Sequence, residues 1–252
     1  MKRNATTAKK AADWVKNMKD IFPNEIQYSI SNSNVVRNYK MPPIPVGKYN
    51  TIIEIIDMKS EDATYYKRLV DNRVCVLNFA SYKNPGGAFL DGAMAQEEAL
   101  CHHSTLYPVL AHFRAEYASR KTRLNNGLYN EDFIYSPDIL FFNADEQYIK
   151  ADILTYAAPN MMRKAKTEEY YKVLKQRIYN AYVYPSLHGA DTVILGAWGC
   201  GVFCNDPDTV AQLFAEAMRA YPGLYDNVVY AVPTIKNSKN YDAFKRHIEM
   251  TF

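Results

Sequence analysis

The sequence predicts an α/β domain of three layers, a mixed and mostly parallel sheet covered by helices on both faces, with an N-terminal helical extension. Three observations carry that reading. From residue 51 onward, short apolar runs alternate with stretches of helical periodicity. The runs are continuously apolar rather than alternating, as in strands buried on both faces. Two glycine-rich loops each lead from such a run into a helix. The chain has 252 residues, 48% of them hydrophobic and 23% charged, which suits one large domain with a sizeable core.

The elements follow in order. Ala11, Val15, Met18 and Phe22 recur at helical spacing, and Pro23 ends that helix. Met41-Pro42-Pro43-Ile44-Pro45 is a stiff extended connector that sets residues 1–50 apart from a main domain at 51–252. Fifty residues rarely make a core of their own, so the extension is expected to pack on the main domain. Thr51–Asp57 and Arg73–Ala80 are expected strands, with a helix over Ala63–Val70 between them. A loop follows, then a helix from about Ala93 that Pro108 interrupts or restarts. Strands are expected at Ile139–Asn143, Asp152–Ala158, Asp191–Gly196 and Asn227–Val232. Helices are expected over Glu168–Tyr182, from Pro207, and over Tyr241–Met250. In such a sheet, ligands bind at the carboxyl ends of the strands.

Composition narrows the function. Residues 1–20 carry six basic side chains (Lys2, Arg3, Lys9, Lys10, Lys16, Lys19) against Asp13 and Asp20; the remaining 24 basic and 25 acidic residues nearly cancel. A neutral body with its surplus on one terminal helix argues against nucleic acid as a direct partner. No run reaches the roughly 18 apolar residues that a membrane span needs, and the first twenty residues lack the apolar core of a secretory signal. Cys75, Cys101, Cys200 and Cys204 are too sparse for a disulfide scaffold, and a cytoplasmic location is expected. Cys101-His102-His103 invites a metal, but successive helical side chains point about 100° apart and cannot readily share one ion. No metal or cofactor is expected.

The first glycine-rich loop runs from Asn84 through Pro85, Gly86, Gly87 and Ala88 to Gly92; the second is Gly196–Phe203, with Trp198 inside it. Glycines allow left-handed backbone and let main-chain N–H groups converge on an anion, so two such loops on neighbouring strand ends suggest a clamp on a diphosphate. Familiar nucleotide fingerprints are absent. There is no G-x-x-x-x-G-K-[ST], and Gly199-Cys200-Gly201 lacks the last glycine of G-x-G-x-x-G, where Cys204 stands. Trp198 is expected as a structural plug. Cys200 lacks any base to make it a nucleophile.

Gln96-Glu97-Glu98 occupies the first turn of the helix leaving loop one. Adjacent helical glutamates point in different directions, so the pair is not expected to oppose across a glycosidic bond. Instead, one faces the crevice while the other holds a sugar hydroxyl. An ordinary glutamate is only about 0.2% protonated at pH 7. A general acid here needs help, and the charge of a bound diphosphate would supply it.

Leu77-Asn78-Phe79-Ala80-Ser81, Asn84-Pro85-Gly86-Gly87 and Gly92-Ala93-Met94-Ala95-Gln96-Glu97-Glu98 closely resemble the signature of the microbial-type poly(ADP-ribose) glycohydrolases. That family has a macrodomain-like fold in which a triple-glycine loop is followed within a few residues by Gln-Glu-Glu. Asp152–Asn160 and Leu195–Pro207 look like further blocks of the same family, in the same order. The resemblance implies ADP-ribose, poly(ADP-ribose) or ADP-ribosylated protein as partner and a metal-free cleavage of an O-glycosidic ribose linkage. It makes Glu98 the general acid/base and Glu97 the residue holding the adjacent ribose. Asn84, Gly86, Gly87, Ala88 and Gln96 would form one binding wall; Gly199, Cys200, Gly201 and Val202 would form the other, with Phe203 packed on the terminal ribose. Ala88 departs from the pattern, standing where the family has its third glycine. If that position needs positive φ, alanine costs about 1 kcal/mol. The alternatives are an ADP-ribose-binding module that cleaves nothing, or a hydrolase of mono-ADP-ribosylated protein or other ADP-ribose derivatives.

Overall fold

The computed structural model describes residues 4–249 apart from Pro45, Asn72, Glu146, Lys236 and Asn237. Lys2 and Arg3 of the basic segment, Pro45 of the proline stretch and Met250 of the expected closing helix lie outside the described residues. In chain order the elements are α1 (Ala5–Ile21), α2 (Pro23–Ser31), β1 (Asn34–Val36), β2 (Ile52–Ile56), α3 (Ser60–Arg68), β3 (Val74–Phe79), α4 (Gln96–His102), α5 (Leu106–His112) and α6 (Arg114–Arg120). Then come β4 (Phe133–Phe142), β5 (Tyr148–Tyr156), α7 (Glu168–Leu187), β6 (Thr192–Leu195), α8 (Pro207–Ala220), β7 (Asn227–Ala231) and α9 (Ser238–Glu249).

The sheet runs β1-β4-β5-β3-β6-β7-β2. Its centre is parallel, with β3 between β5 and β6, and β7 between β6 and β2. Successive residues of β3 go to opposite faces. Cys75 and Leu77 join a core made with α7, α8 and α9; Val74 and Val76 join one made with α1 through α5. Both faces are dry, which explains why these strands read as unbroken apolar runs. The carboxyl ends of β3 and β6 lie side by side, so loops one and two emerge as neighbours.

Three features differ from the sequence reading. The expected strand at Ile139–Asn143 begins earlier, at Phe133, and forms an antiparallel hairpin with β5. Pro137 obscures it: proline cannot donate to a ladder, and the register shifts between Ser136 and Ile139, where Asp138 takes φ +54°. Pro23 ends α1 as expected but also opens α2 at its first-turn position. Residues 1–50 are not purely helical, since Asn34–Val36 pairs antiparallel with β4 as the edge strand. Ala11, Met18 and Ile26 are buried in the same core as Leu100, Tyr107 and Val76.

Arg177 of α7 is fully buried. Its guanidinium donates to Glu131 Oε1 at 2.9 Å, Asn130 O at 3.0 Å and Ala157 O at 3.1 Å, tying the end of β5 to the segment before β4. Tyr156 and Asn180 also donate to Glu131. Glu131 is partly exposed, and removing Arg177 leaves its carboxylate and two backbone carbonyls without that donor. Arg177→Leu is therefore expected to cost about 1–3 kcal/mol, read from urea unfolding.

Candidate functional site

The glutamates are held by backbone amides. Gln96 starts α4 and staples it to β3: its Oε1 accepts from Phe79 N at 2.8 Å, and its Nε2 donates to Leu77 O at 2.9 Å and Ser60 Oγ at 3.1 Å. Glu97 is buried, its Oε2 accepting from Ser81 N at 2.7 Å and its Oε1 from Asn78 Nδ2 at 3.4 Å. Glu98 is also buried; its Oε1 accepts from Ala88 N at 2.9 Å and its Oε2 from Ala95 N at 3.0 Å.

The two carboxylates converge, which the sequence reading did not expect. A Cβ built on Gly87 would stand 2.4 Å from Glu98 Oε1 and 3.0 Å from Glu97 Oε2. The side chains diverge at Cβ, but both lean back toward the helix N-terminus and are caught by N–H groups of loop one and the end of β3. Gly87, at φ +61°, is required twice over: for its left-handed backbone and for the space its missing side chain leaves to the acids. Ala88 has φ −111°, so alanine carries no penalty for left-handed backbone there.

Loop one therefore spends amides on the glutamates, whereas the diphosphate clamp inferred from sequence required them for the ligand. Gly87 N bonds within the loop, to Asn84 O at 3.1 Å. Loop two is different. The amides of Gly201, Val202 and Phe203 bond to no other described residue. Asn205 braces this loop, its Nδ2 donating to Pro159 O at 2.9 Å and Gly199 O at 3.1 Å and its Oδ1 accepting from Tyr170 OH at 2.9 Å. Gly199 takes φ +75°, and a Cβ there would meet Asn205 Nδ2 at 2.2 Å.

A cavity of about 460 Å³ opens against loop two. Gly199, Gly201, Val202 and Phe203 form one wall, and Met94, Ala95 and Gln96 at the start of α4 form another. Lys59–Glu61, Phe79 and Ala231–Pro233 also line it, as does buried Trp198. Trp198 Nε1 donates to Tyr156 O at 3.1 Å, so the indole is anchored in the fold. Asn84, Gly86, Gly87, Ala88, Cys200, Glu97 and Glu98 do not border this space; the glutamates lie beyond Met94–Gln96, under loop one. Burial pushes the Cys200 thiol up, which keeps it protonated. Cys101 is buried in the core, His102 lies edge-on to Phe89 at 4.6 Å and His103 Nδ1 pairs with Ala99 O, so these three side chains do not converge.

Sequence reasoning missed Asn205 and the Lys59–Glu61 wall. The strand-end rule that located the loops applies equally to the end of β2, which feeds α3.

Burial raises Glu97 from 4.5 to about 8, reinforced by the neighbouring Glu98 charge and opposed by the N–H groups of Ser81 and Asn78. In the fold this acid keeps its proton to higher pH than in the unfolded chain. Its contribution to stability is therefore fully present below about pH 4.5 and is lost as pH rises through about 8. Glu97→Gln removes this titration. The variant should gain on wild type across that window by up to about 1.4 kcal/mol per pH unit, read from urea unfolding at about pH 5 and about pH 8.

Residues 8–144 match the family model described as the catalytic domain of microbial-type poly(ADP-ribose) glycohydrolase (PARG). Loop two lies beyond that stretch but within the structural similarities. The poly(ADP-ribose) glycohydrolase of Thermomonospora curvata is 28% identical, covering 97% of this chain and 100% of that one with a TM-score of 0.86. The same enzyme bound to the inhibitor ADP-HPD gives 28% identity, coverage of 96% and 99%, and a TM-score of 0.83. The Deinococcus radiodurans enzyme in complex with ADP-ribose gives 28% identity, coverage of 90% and 98%, and a TM-score of 0.79. No curated protein matches the chain in sequence. With the family model spanning more than half its length and Gln96-Glu97-Glu98 set at the start of the helix that follows loop one, this chain belongs to the microbial-type poly(ADP-ribose) glycohydrolase family.

Proposed function

We propose that the protein hydrolyses the O-glycosidic ribose linkage of poly(ADP-ribose), releasing ADP-ribose, with Glu98 as general acid and base. The observation that carries this reading is the pair of buried carboxylates meeting over Gly87, close to a cavity whose far wall offers amides bonded to no other described residue. The Gly201–Phe203 amides receive the diphosphate, because an anion satisfies N–H groups that the fold leaves open. Phe203 packs on the terminal ribose. Glu97, neutral near pH 7, holds a ribose hydroxyl without adding a second full charge beside the diphosphate.

The steps balance as a hydrolysis. Glu98 gives its proton to the departing oxygen, the C1–O bond breaks, and C1 takes on oxocarbenium character. The diphosphate's negative charge favours the protonated acid beforehand. The Ala88 and Ala95 N–H groups then stabilise the carboxylate left behind. That carboxylate takes a proton from water as its oxygen adds to C1, which restores the acid.

Four free thiols suit a reducing compartment, and we place the enzyme in the cytoplasm on that basis. Among the described residues, no helix is long and apolar enough to cross a membrane.

Incubation with poly(ADP-ribose) and measurement of free ADP-ribose tests the assignment. Wild type should release it, and Glu98→Gln should lose at least about a hundredfold in rate while still binding ADP-ribose. Tight binding without release from any linkage would instead identify a reader; release only from mono-ADP-ribosylated protein would shift the substrate class. Because Ala88 has negative φ, Ala88→Gly should leave the rate within about threefold of wild type.

A further inference from the structure

Helix α1 touches the segment carrying the glutamates at two places. The first is Gly92, which closes the 3-10 turn Phe89–Asp91 at the end of loop one and has φ +79°. A Cβ on Gly92 would stand 2.4 Å from Asn4 O and 3.0 Å from Ala8 N, so the first turn of α1 rests backbone to backbone on this residue. Asn4 shapes that turn, its Oδ1 accepting from Thr7 N at 3.3 Å as the helix cap. The second place is Ser104, just past α4, whose carbonyl accepts from Trp14 Nε1 at 3.0 Å. The Trp14 ring is itself fixed edge-on to Phe142 at 5.5 Å. Between the two, Ala11 is fully buried in the core that also holds Phe89 and Leu100.

Asn4 and Trp14 are ten residues apart on α1, about 15 Å of helix. The segment they hold, residues 92–104, contains Glu97 and Glu98. A straight helix gripping both ends of a short segment limits how far that segment can shift or tilt. General acid catalysis depends on such limits, because a displacement of about 1 Å can cost about a hundredfold in rate.

We propose that α1 is part of the catalytic unit, a splint whose cap at Asn4 and whose indole at Trp14 set the position of the two glutamates, making Asn4 and Trp14 positioning residues. This rests on the assignment of Glu98 as the acid. The family match, which begins at residue 8, already takes in most of α1.

The test uses the full chain. Asn4→Ala removes the cap and frays the first turn; Trp14→Phe keeps a ring but removes the N–H. Each variant should lower kcat on poly(ADP-ribose) by at least about fivefold, with KM and ADP-ribose affinity within about twofold of wild type. Asn4→Asp, which also caps, should restore kcat. Hydrogen exchange over residues 93–103 of the free protein, a readout independent of activity, should quicken in both variants. Wild-type kcat and wild-type exchange over 93–103 in both variants would overturn the proposal. A drop in melting temperature with unchanged kcat would overturn it too, leaving α1 an ordinary stabilising helix. Failure of the Glu98 assignment looks different: Glu98→Gln would stay active whatever α1 does.

Discussion

The site depends on backbone N–H groups at the end of β3 and in loop one capturing two carboxylates out of water. A buried carboxylate is costly unless it is neutral or hydrogen-bonded. Glu97 is stabilised both ways, through Ser81 and through a proton retained near neutral pH. Glu98 is held between Ala88 N and Ala95 N. These bonds also define the loop, since the Gly87 turn closes around the space that the acids fill. Loop and glutamate pair are thus a single unit, each held by contacts with the other.

That arrangement divides labour between the two loops. Loop one bonds to the acids, and loop two, braced by Asn205 and backed by Trp198, borders the cavity. The cavity borders loop two and the start of α4, so Met94–Gln96 stand between the cavity and the two glutamates. Gln96 supplies stiffness at that junction. Its amide bonds to β3 at two points and to α3 at a third, which leaves the helix start little freedom to drift when a ligand enters.

Negative charge is managed at the same place. Glu97, Glu98 and an incoming diphosphate would repel if all were ionised. Burial of Glu97 relieves this by keeping one of the three neutral, and the stability it forfeits at high pH is the cost of having an acid there at all. Natural sites often carry such local destabilisation where chemistry requires it.

How much was legible in the sequence follows from the range of the interactions. Unbroken apolar runs in β3, β6 and β7 identified a sheet buried on both faces, because strand periodicity is local. Asn84–Gly87 and Gln96–Glu98 marked loop one and the start of α4 for the same reason: turn chemistry and helix starts are written in neighbouring residues. The hairpin of β4 and β5 was half hidden because the bulge at Pro137 breaks the local pattern. Whether Ala88 needed glycine's backbone was undecidable from the string, since φ is set by the bonds its neighbours make. Convergence of Glu97 and Glu98, the unbonded amides of loop two and the seat of α1 on Gly92 all join residues far apart in the chain or curl against local expectation. Only packing in three dimensions decides them, because the partners that fix those side chains are brought together by the fold and by nothing in their own segment.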